Sequence, residues 1–243
     1  MTSPIPRDIP DLPAIPGMPA PRPPTVPASA VVTPVRRPVA AACRALTAAA
    51  ATTGVTLSLT AGAPLHALSH FTVQSGILLA LAFTASAYRS WSARPPLPAA
   101  VSGAALLYAL ITAAVHHLLP APTPWSGPAT LLLHTTLPIA AALDWLLLTT
   151  PGRLRLRHAA PWLLYPLTYL ALSLACAAHL SPDHVPPYLD PTAHGYLPAL
   201  SNALLLGLAG YALALLLIAL DHTRPNPLRR RAKTGFRLQP PVG

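Results

Sequence analysis

Six apolar runs punctuate the chain, at roughly 39–62, 66–88, 97–119, 127–150, 159–180 and 196–220. Each is long enough to cross ~30 Å of hydrocarbon as a helix, which takes about 20 mostly apolar residues. The runs are continuous and rich in Leu and Ala, without the alternation of apolar and polar positions that membrane β-strands require. The pattern predicts an all-α polytopic membrane protein of six transmembrane helices. One run, LLLHTTLPIAAALDWLLLT over residues 131–149, carries both His134 and Asp144, two ionisable groups in a medium that penalises them.

Composition supports the membrane reading: 53% of residues are hydrophobic, 9% are charged and Glu is absent, where soluble domains carry about 25% charged residues. The net charge of +10 would suit nucleic acid, but its distribution points elsewhere. Arg7, Arg22, Arg36, Arg37 and Arg44 lie before or just inside the first run. Arg89 and Arg94 separate the second from the third, and Arg153, Arg155 and Arg157 separate the fourth from the fifth. Arg224, Arg229, Arg230, Arg231, Lys233 and Arg237 follow the sixth. No Lys or Arg falls in the other three loops. By the positive-inside rule both termini are cytoplasmic, and the loops near residues 64, 123 and 188 face outward. No nucleic-acid partner is needed to explain the charge, and the basic end suits anionic headgroups.

The domain reading follows. Residues 1–38 hold twelve prolines and are expected to be a disordered cytoplasmic tail, either a linker or a ligand for a proline-recognising protein partner. Residues 39–221 form the transmembrane domain, and residues 222–243 a basic cytoplasmic tail. Cys43 and Cys176 fall at opposite depths, too far apart to bridge. The bias towards Pro, Ala and Arg points to a bacterial plasma membrane.

That topology gives each polar residue a depth. His66, His70, His116, His117, His134 and His179 fall at or near outer ends, with His184 and His194 in the last outer loop. Thr72, Gln74, Ser75, Thr135, Thr136, Ser201 and Asn202 share that level. Polar groups in spans are costly and usually face an interior cavity, although histidines such as His66, His117 and His179 are also ordinary at a membrane boundary. Thr72 and His134 sit deeper, each ~10 Å below the outer boundary on an inward-running helix at ~1.5 Å per residue. They can meet if those helices are neighbours. Thr72 shares a helix face with Ser69, Ser75 and Gly76, a face that would equally serve close packing. Pro138 has no amide for the His134 carbonyl, which predicts a kink.

The pairing suggests a chemistry. A neutral imidazole can take the proton of a threonine hydroxyl as it attacks an ester carbonyl, then protonate the leaving alkoxide. This assigns Thr72 as nucleophile and His134 as general base and acid. An oxyanion stabiliser is sought among Ser75, Gln74, His116, His117 and Asn202, with Gln74 ~200° around the helix from Thr72.

The segments HFTVQSGILLALA, AVHHLL, LLLHTTLPIAAALDWLL, WLLYPLTYLAL, PPYLDPTAHGY and SNALLLGLAGYALALLLIALD resemble the bacterial six-pass group called Pr-six-Pr. That group is similar to the eukaryotic androgen-induced and androgen-dependent TFPI-regulating proteins. The resemblance covers about residues 40–222 and rests most on the Thr of FTVQS and the His of LLHTTLP. It implies hydrolysis of fatty acid esters of hydroxy fatty acids, a membrane lipid substrate, with the intramembrane Thr and His carried over to Thr72 and His134. No cofactor or metal is implied. Gly76 stands where the bacterial pattern FTIQSN has Asn, and Asn202 is a possible replacement.

Asp144 lies ten residues beyond His134, ~15 Å along the helix axis, too far to orient the imidazole as a triad carboxylate would. Arg44 is expected at a similar inner depth, and an ion pair would lower the cost of both charges. A proton relay is the alternative. Two other functions remain open. Clustered histidines suit a metal or haem, although His116 and His117 point ~100° apart and no HExxH spacing occurs. A small-solute transporter would be expected to show broken, repeat-related spans, and none is evident.

Overall fold

The computed structural model describes residues 36–119, 127–176 and 187–225. The proline-rich segment up to residue 35, the basic segment from 226, and His179 and His184 lie outside the described residues, with the expectations attached to them. Among the described residues the chain is helical, without a strand. Helix α1 spans Pro38–Thr60, α2 Pro64–Ser69, α3 Phe71–Trp91 and α4 Ala99–Leu118. Helix α5 covers Pro128–Leu148, α6 Ala159–Cys176, α7 Pro191–His194 and α8 Tyr196–Thr223, with 3₁₀ turns at Leu156–His158 and Pro187–Leu189. Pro38, Pro64, Pro128 and Pro191 each occupy the first turn of a helix, where a missing amide costs nothing because it would have no intrahelical acceptor.

Helices α3, α4, α5 and α8 are long and apolar enough to cross a membrane. Only 22% of the most apolar window of α8 is buried, so Leu204, Leu205, Leu208 and Leu216 lie on the outside of the fold. A helix that is apolar all round and largely uncovered by protein needs lipid on its outer faces. The chain is an integral membrane protein. Helix α1 is the least apolar of the long helices because Arg44, Thr47 and Ser58 lie along its buried stripe. The fifth expected run is described as helix only to Cys176.

Helix α4 is central, packed against α3, α5, α6 and α8, while α1 lies along α3 and α5. The α1 stripe, Ala40, Ala41, Arg44, Thr47, Ala48, Ala51, Gly54, Val55 and Ser58, recurs at helical spacing. Its small side chains let the helices come close. Thr47 and Ser58 donate to the carbonyls of Cys43 and Gly54, both at 3.0 Å, so their hydroxyls need no partner from another helix. At Gly103 an added Cβ would lie 2.4 Å from the Trp162 ring. Trp162 is held there because its Nε1 donates to the Ala100 carbonyl and its own carbonyl accepts from Tyr108.

Two carboxylates organise the end of the bundle opposite Thr72. Arg44 Nε donates to Asp144 Oδ1 at 2.7 Å and Nη2 to Oδ2 at 3.3 Å, while Nη1 donates to Ser90 at 2.6 Å. The expected Arg44 and Asp144 pair is thus a two-point contact joining α1, α3 and α5. Asp221 is wholly buried near the end of α8. It accepts from the amides of Arg153 and Leu154 at 2.7 and 2.8 Å and from Arg224. The Arg224 guanidinium also lies 3.8 Å over the Trp145 ring, tying α8 to α5 and to the chain leaving it.

Removing one partner of a buried ion pair strands the other, at a cost of about 3–5 kcal/mol, whereas replacing both with apolar groups is often nearly neutral. Arg44→Met and Asp144→Leu should therefore each lower the thermal midpoint of the detergent-solubilised protein sharply, and the double variant should recover most of the loss. Additive losses in the double variant would show that charge pairing is not what holds α1 to α5.

Candidate functional site

Two local irregularities bring Thr72 to His134. The expected second run is interrupted: α2 ends at Ser69, His70 is extended with φ −82° and ψ 134°, and α3 begins at Phe71. Thr72 therefore occupies the first turn of α3 and not a position six residues into a longer helix. Gln74 stabilises the break, since its Nε2 donates to the Leu68 carbonyl at 2.9 Å, one of the carbonyls that the end of α2 leaves without an intrahelical partner.

The second irregularity lies in α5. Leu132–Thr136 is a π turn, closed by the Leu137 amide on the Leu132 carbonyl. Its cause is legible: Pro138 offers no amide to the His134 carbonyl, so the α pattern cannot run through this point. The turn is seated by Leu133. An added Cβ at Gly54 or at Gly76 would stand 3.0 Å from the Leu133 side chain, so the two glycines of α1 and α3 form the notch that receives it. His134 follows directly in the chain and is 4% exposed.

In this setting Thr72 Oγ1 and His134 Nε2 are 3.3 Å apart, and His134 Nδ1 is 3.2 Å from the Thr130 carbonyl oxygen. A carbonyl can only accept, so Nδ1 carries the ring proton. In the neutral imidazole Nε2 then presents its lone pair, and the Thr72 hydroxyl donates to it. A main-chain carbonyl thus holds the tautomer that a carboxylate holds in a triad.

The other expected site residues divide. His116 stacks on His134 with ring centroids 4.2 Å apart at 32°, and its Nδ1 is buried without a hydrogen-bond partner. His117 Nε2 lies 3.1 Å from Thr135 Oγ1. The ~100° between adjacent residues on a helix is met by adjacent residues of α5, so both histidines reach the same turn, against the expectation that they would diverge. Ser75 is buried, 2.9 Å from the Thr72 carbonyl and 3.0 Å from Thr112 Oγ1, and its hydroxyl joins α3 to α4 rather than facing the dyad. Gln74 accepts at Oε1 from Tyr165 at 2.6 Å, on the side of α3 away from Thr72. Asn202 donates to the Tyr188 carbonyl at 2.7 Å. Asp144 is engaged by Arg44 at the far end.

Sequence reasoning did not pick out the aromatic cluster built on Phe71, the chain neighbour of Thr72. Phe71 stacks on Tyr165 with centroids 5.4 Å apart at 26° and lies 5.3 Å from Tyr169 and 6.3 Å from Tyr108. The Tyr165 and Tyr169 pair at i,i+4 was the available signal. Among the described residues no group of three or more His, Cys, Asp or Glu is placed to hold a metal ion.

In comparisons with protein-family models, curated proteins and solved structures, nothing matches this chain.

If Thr130 sets the tautomer, ¹⁵N-histidine spectra of the reconstituted protein, assigned by difference from His134→Ala, should show a protonated Nδ1 and an unprotonated Nε2 at His134. The opposite tautomer would make Thr72 the acceptor and remove any activation of its hydroxyl.

Proposed function

We propose that the protein is an intramembrane hydrolase of lipid esters, with Thr72 as nucleophile and His134 as general base and acid. The observation that carries this reading is the 3.3 Å contact from Thr72 Oγ1 to the Nε2 that Thr130 keeps unprotonated. The hydroxyl attacks the ester carbonyl carbon as its proton passes to Nε2. Collapse of the tetrahedral adduct breaks the bond to the alkoxide, which leaves with that proton and gives acyl-Thr72. Water then attacks the acyl carbon, giving its proton to Nε2, and the second collapse releases the carboxylic acid as the proton returns to Thr72. The Val73 and Gln74 amides donate to the His70 carbonyl, both at 3.1 Å; those of Phe71 and Thr72, ahead of them in the first turn of α3, have no carbonyl one helical turn back to bond and lie at the positive end of the helix dipole. They are better oxyanion donors than Gln74, Ser75 or Asn202, whose polar atoms are engaged elsewhere.

The resemblance to the Pr-six-Pr group and its eukaryotic relatives points to fatty acid esters of hydroxy fatty acids as substrates. Such esters are apolar enough to arrive through the lipid. Two further elements belong to the proposal. The chain crosses a bacterial plasma membrane six times, supported by six apolar runs and four described helices of spanning character. Both termini are cytoplasmic, supported by the confinement of Lys and Arg to alternate loops and the tails.

Thr72→Ala and His134→Ala should each lower hydrolysis of a hydroxy-fatty-acid ester by roughly a thousandfold, and the double variant little further, as for residues acting as a unit. Thr72→Ser should retain turnover and label with a fluorophosphonate, while Thr72→Ala should not label. Hydrolysis by Thr72→Ala at the wild-type rate would reduce Thr72 to a packing residue. Topology is tested separately. A reporter fused after Gly243 should be cytoplasmic and a tag inserted beside Pro186 accessible from outside, and accessibility of both from one side would refute the six-span arrangement.

A further inference from the structure

At the end of the bundle away from Thr72, the connection from α3 to α4 and the chain leaving α5 enclose an open cleft of about 580 Å³. Arg89, Arg153, Arg155, Arg157 and His158 line it, together with the Pro95–Pro98 segment. No carboxylate lies among its lining residues. Asp221 of α8, which reaches the Arg153 amide beside the cleft, is already engaged by two amides and Arg224. Four arginines line one cleft with no carboxylate among its lining residues; like charges gathered in this way repel one another, and a bound anion would offset that cost.

The donors are partly arranged in advance. Arg89 Nε is held by the Pro95 carbonyl at 2.7 Å, which leaves its terminal nitrogens to donate elsewhere. His158 Nδ1 accepts from the Arg155 amide at 3.2 Å, so Nε2 carries the ring proton and is a donor. Burial, then Arg157 and Arg155, hold His158 below its ordinary pKa, so it adds a neutral donor beside the arginines. Helix α4 begins at the same cleft, with Ala99 and Ala100 in its lining, and adds the positive end of its dipole. Tyr88 and Trp91 flank Arg89 and are exposed, the placement of aromatic residues at a membrane boundary. The cleft thus stands where headgroups meet the helix ends.

We propose that this cleft is a binding site for a phosphate-bearing anion, the headgroup of an anionic phospholipid or a soluble phosphate. The fork geometry of Arg matches phosphate oxygens two at a time, and the basic walls differ in kind from the apolar lipid-facing surface of α8. The site is independent of the Thr72 and His134 dyad and of any hydrolysis there.

The test is native mass spectrometry of the full chain in detergent with phosphatidylglycerol, phosphatidylcholine or inorganic phosphate added. Wild type should retain one phosphatidylglycerol in preference to phosphatidylcholine. Arg89→Gln combined with Arg155→Gln should weaken retention about tenfold or more, as expected for loss of charge-assisted bonds. Arg36→Gln combined with Arg94→Gln, at the same end but outside the cleft, should bind as wild type does. Displacement of the lipid by millimolar inorganic phosphate identifies a soluble phosphate as the ligand, and resistance to it identifies the headgroup. Helix content and elution profile control for folding. If phosphatidylcholine is retained equally well, or if the Arg36 and Arg94 variant loses as much as the cleft variant, the charge is generic to the membrane boundary and the site does not exist. Retention unchanged in the Arg89 and Arg155 variant would overturn the proposal equally.

Discussion

Close contact between α1, α3 and α5 at Leu133 is the constraint on which the candidate site depends. Gly54 and Gly76 leave a notch that Leu133 fills, and filling it fixes the rotation and height of the π turn. Leu133 is 3% exposed, and a tightly packed knob of this kind tolerates little displacement. One residue further on, His134 can reach both Thr72 and Thr130 only while that seating holds. The geometry of the Thr72 and His134 contact is therefore a product of shape between apolar side chains, and the polar contacts read out a position that packing has already chosen. Gly76 also borders Val55: a Cβ there would stand 3.0 Å from both Leu133 and Val55.

The charged groups do the complementary task at the opposite end. Arg44 with Asp144, and Asp221 with Arg224 and two amides, tie helix ends and connections that the apolar surfaces alone would leave free to slide. A lipid solvent offers no drive to associate apolar faces, so specific polar contacts and close packing must set the register. The two ends differ in chemistry: hydroxyls and imidazoles around Thr72, paired ions and cleft-lining arginines at the end that holds Asp221.

What was legible in the sequence follows the range of the forces involved. Apolar runs report lipid exposure residue by residue, so the helices of spanning character fall where the runs do. Arg44 and Asp144 were readable as a pair because few other charges lie inside the runs at that depth. Pro138 announced a disturbance, since a missing amide is a local fact. The break at His70 was not readable, because neither Gly nor Pro marks it and it is held by a side chain, Gln74, returning to Leu68. The Asn202 bond to the Tyr188 carbonyl was not readable either, because depth gives the level of a residue and not its bearing around the bundle. The amides that Asp221 binds are 67 and 68 residues away in the chain, and backbone donors carry no signature in a side-chain alphabet.

That last point bears on Thr130. The group behind the His134 imidazole is a main-chain carbonyl, and every amino acid supplies one. Substitution at 130 leaves the acceptor in place provided that the helix keeps its path. The orienting element of this dyad is therefore blind to residue identity and sensitive only to backbone curvature. Its information is stored at a distance, in a proline eight positions along and in two glycines on other helices. A search for a third polar side chain completing the dyad would look for a residue that this architecture has made unnecessary.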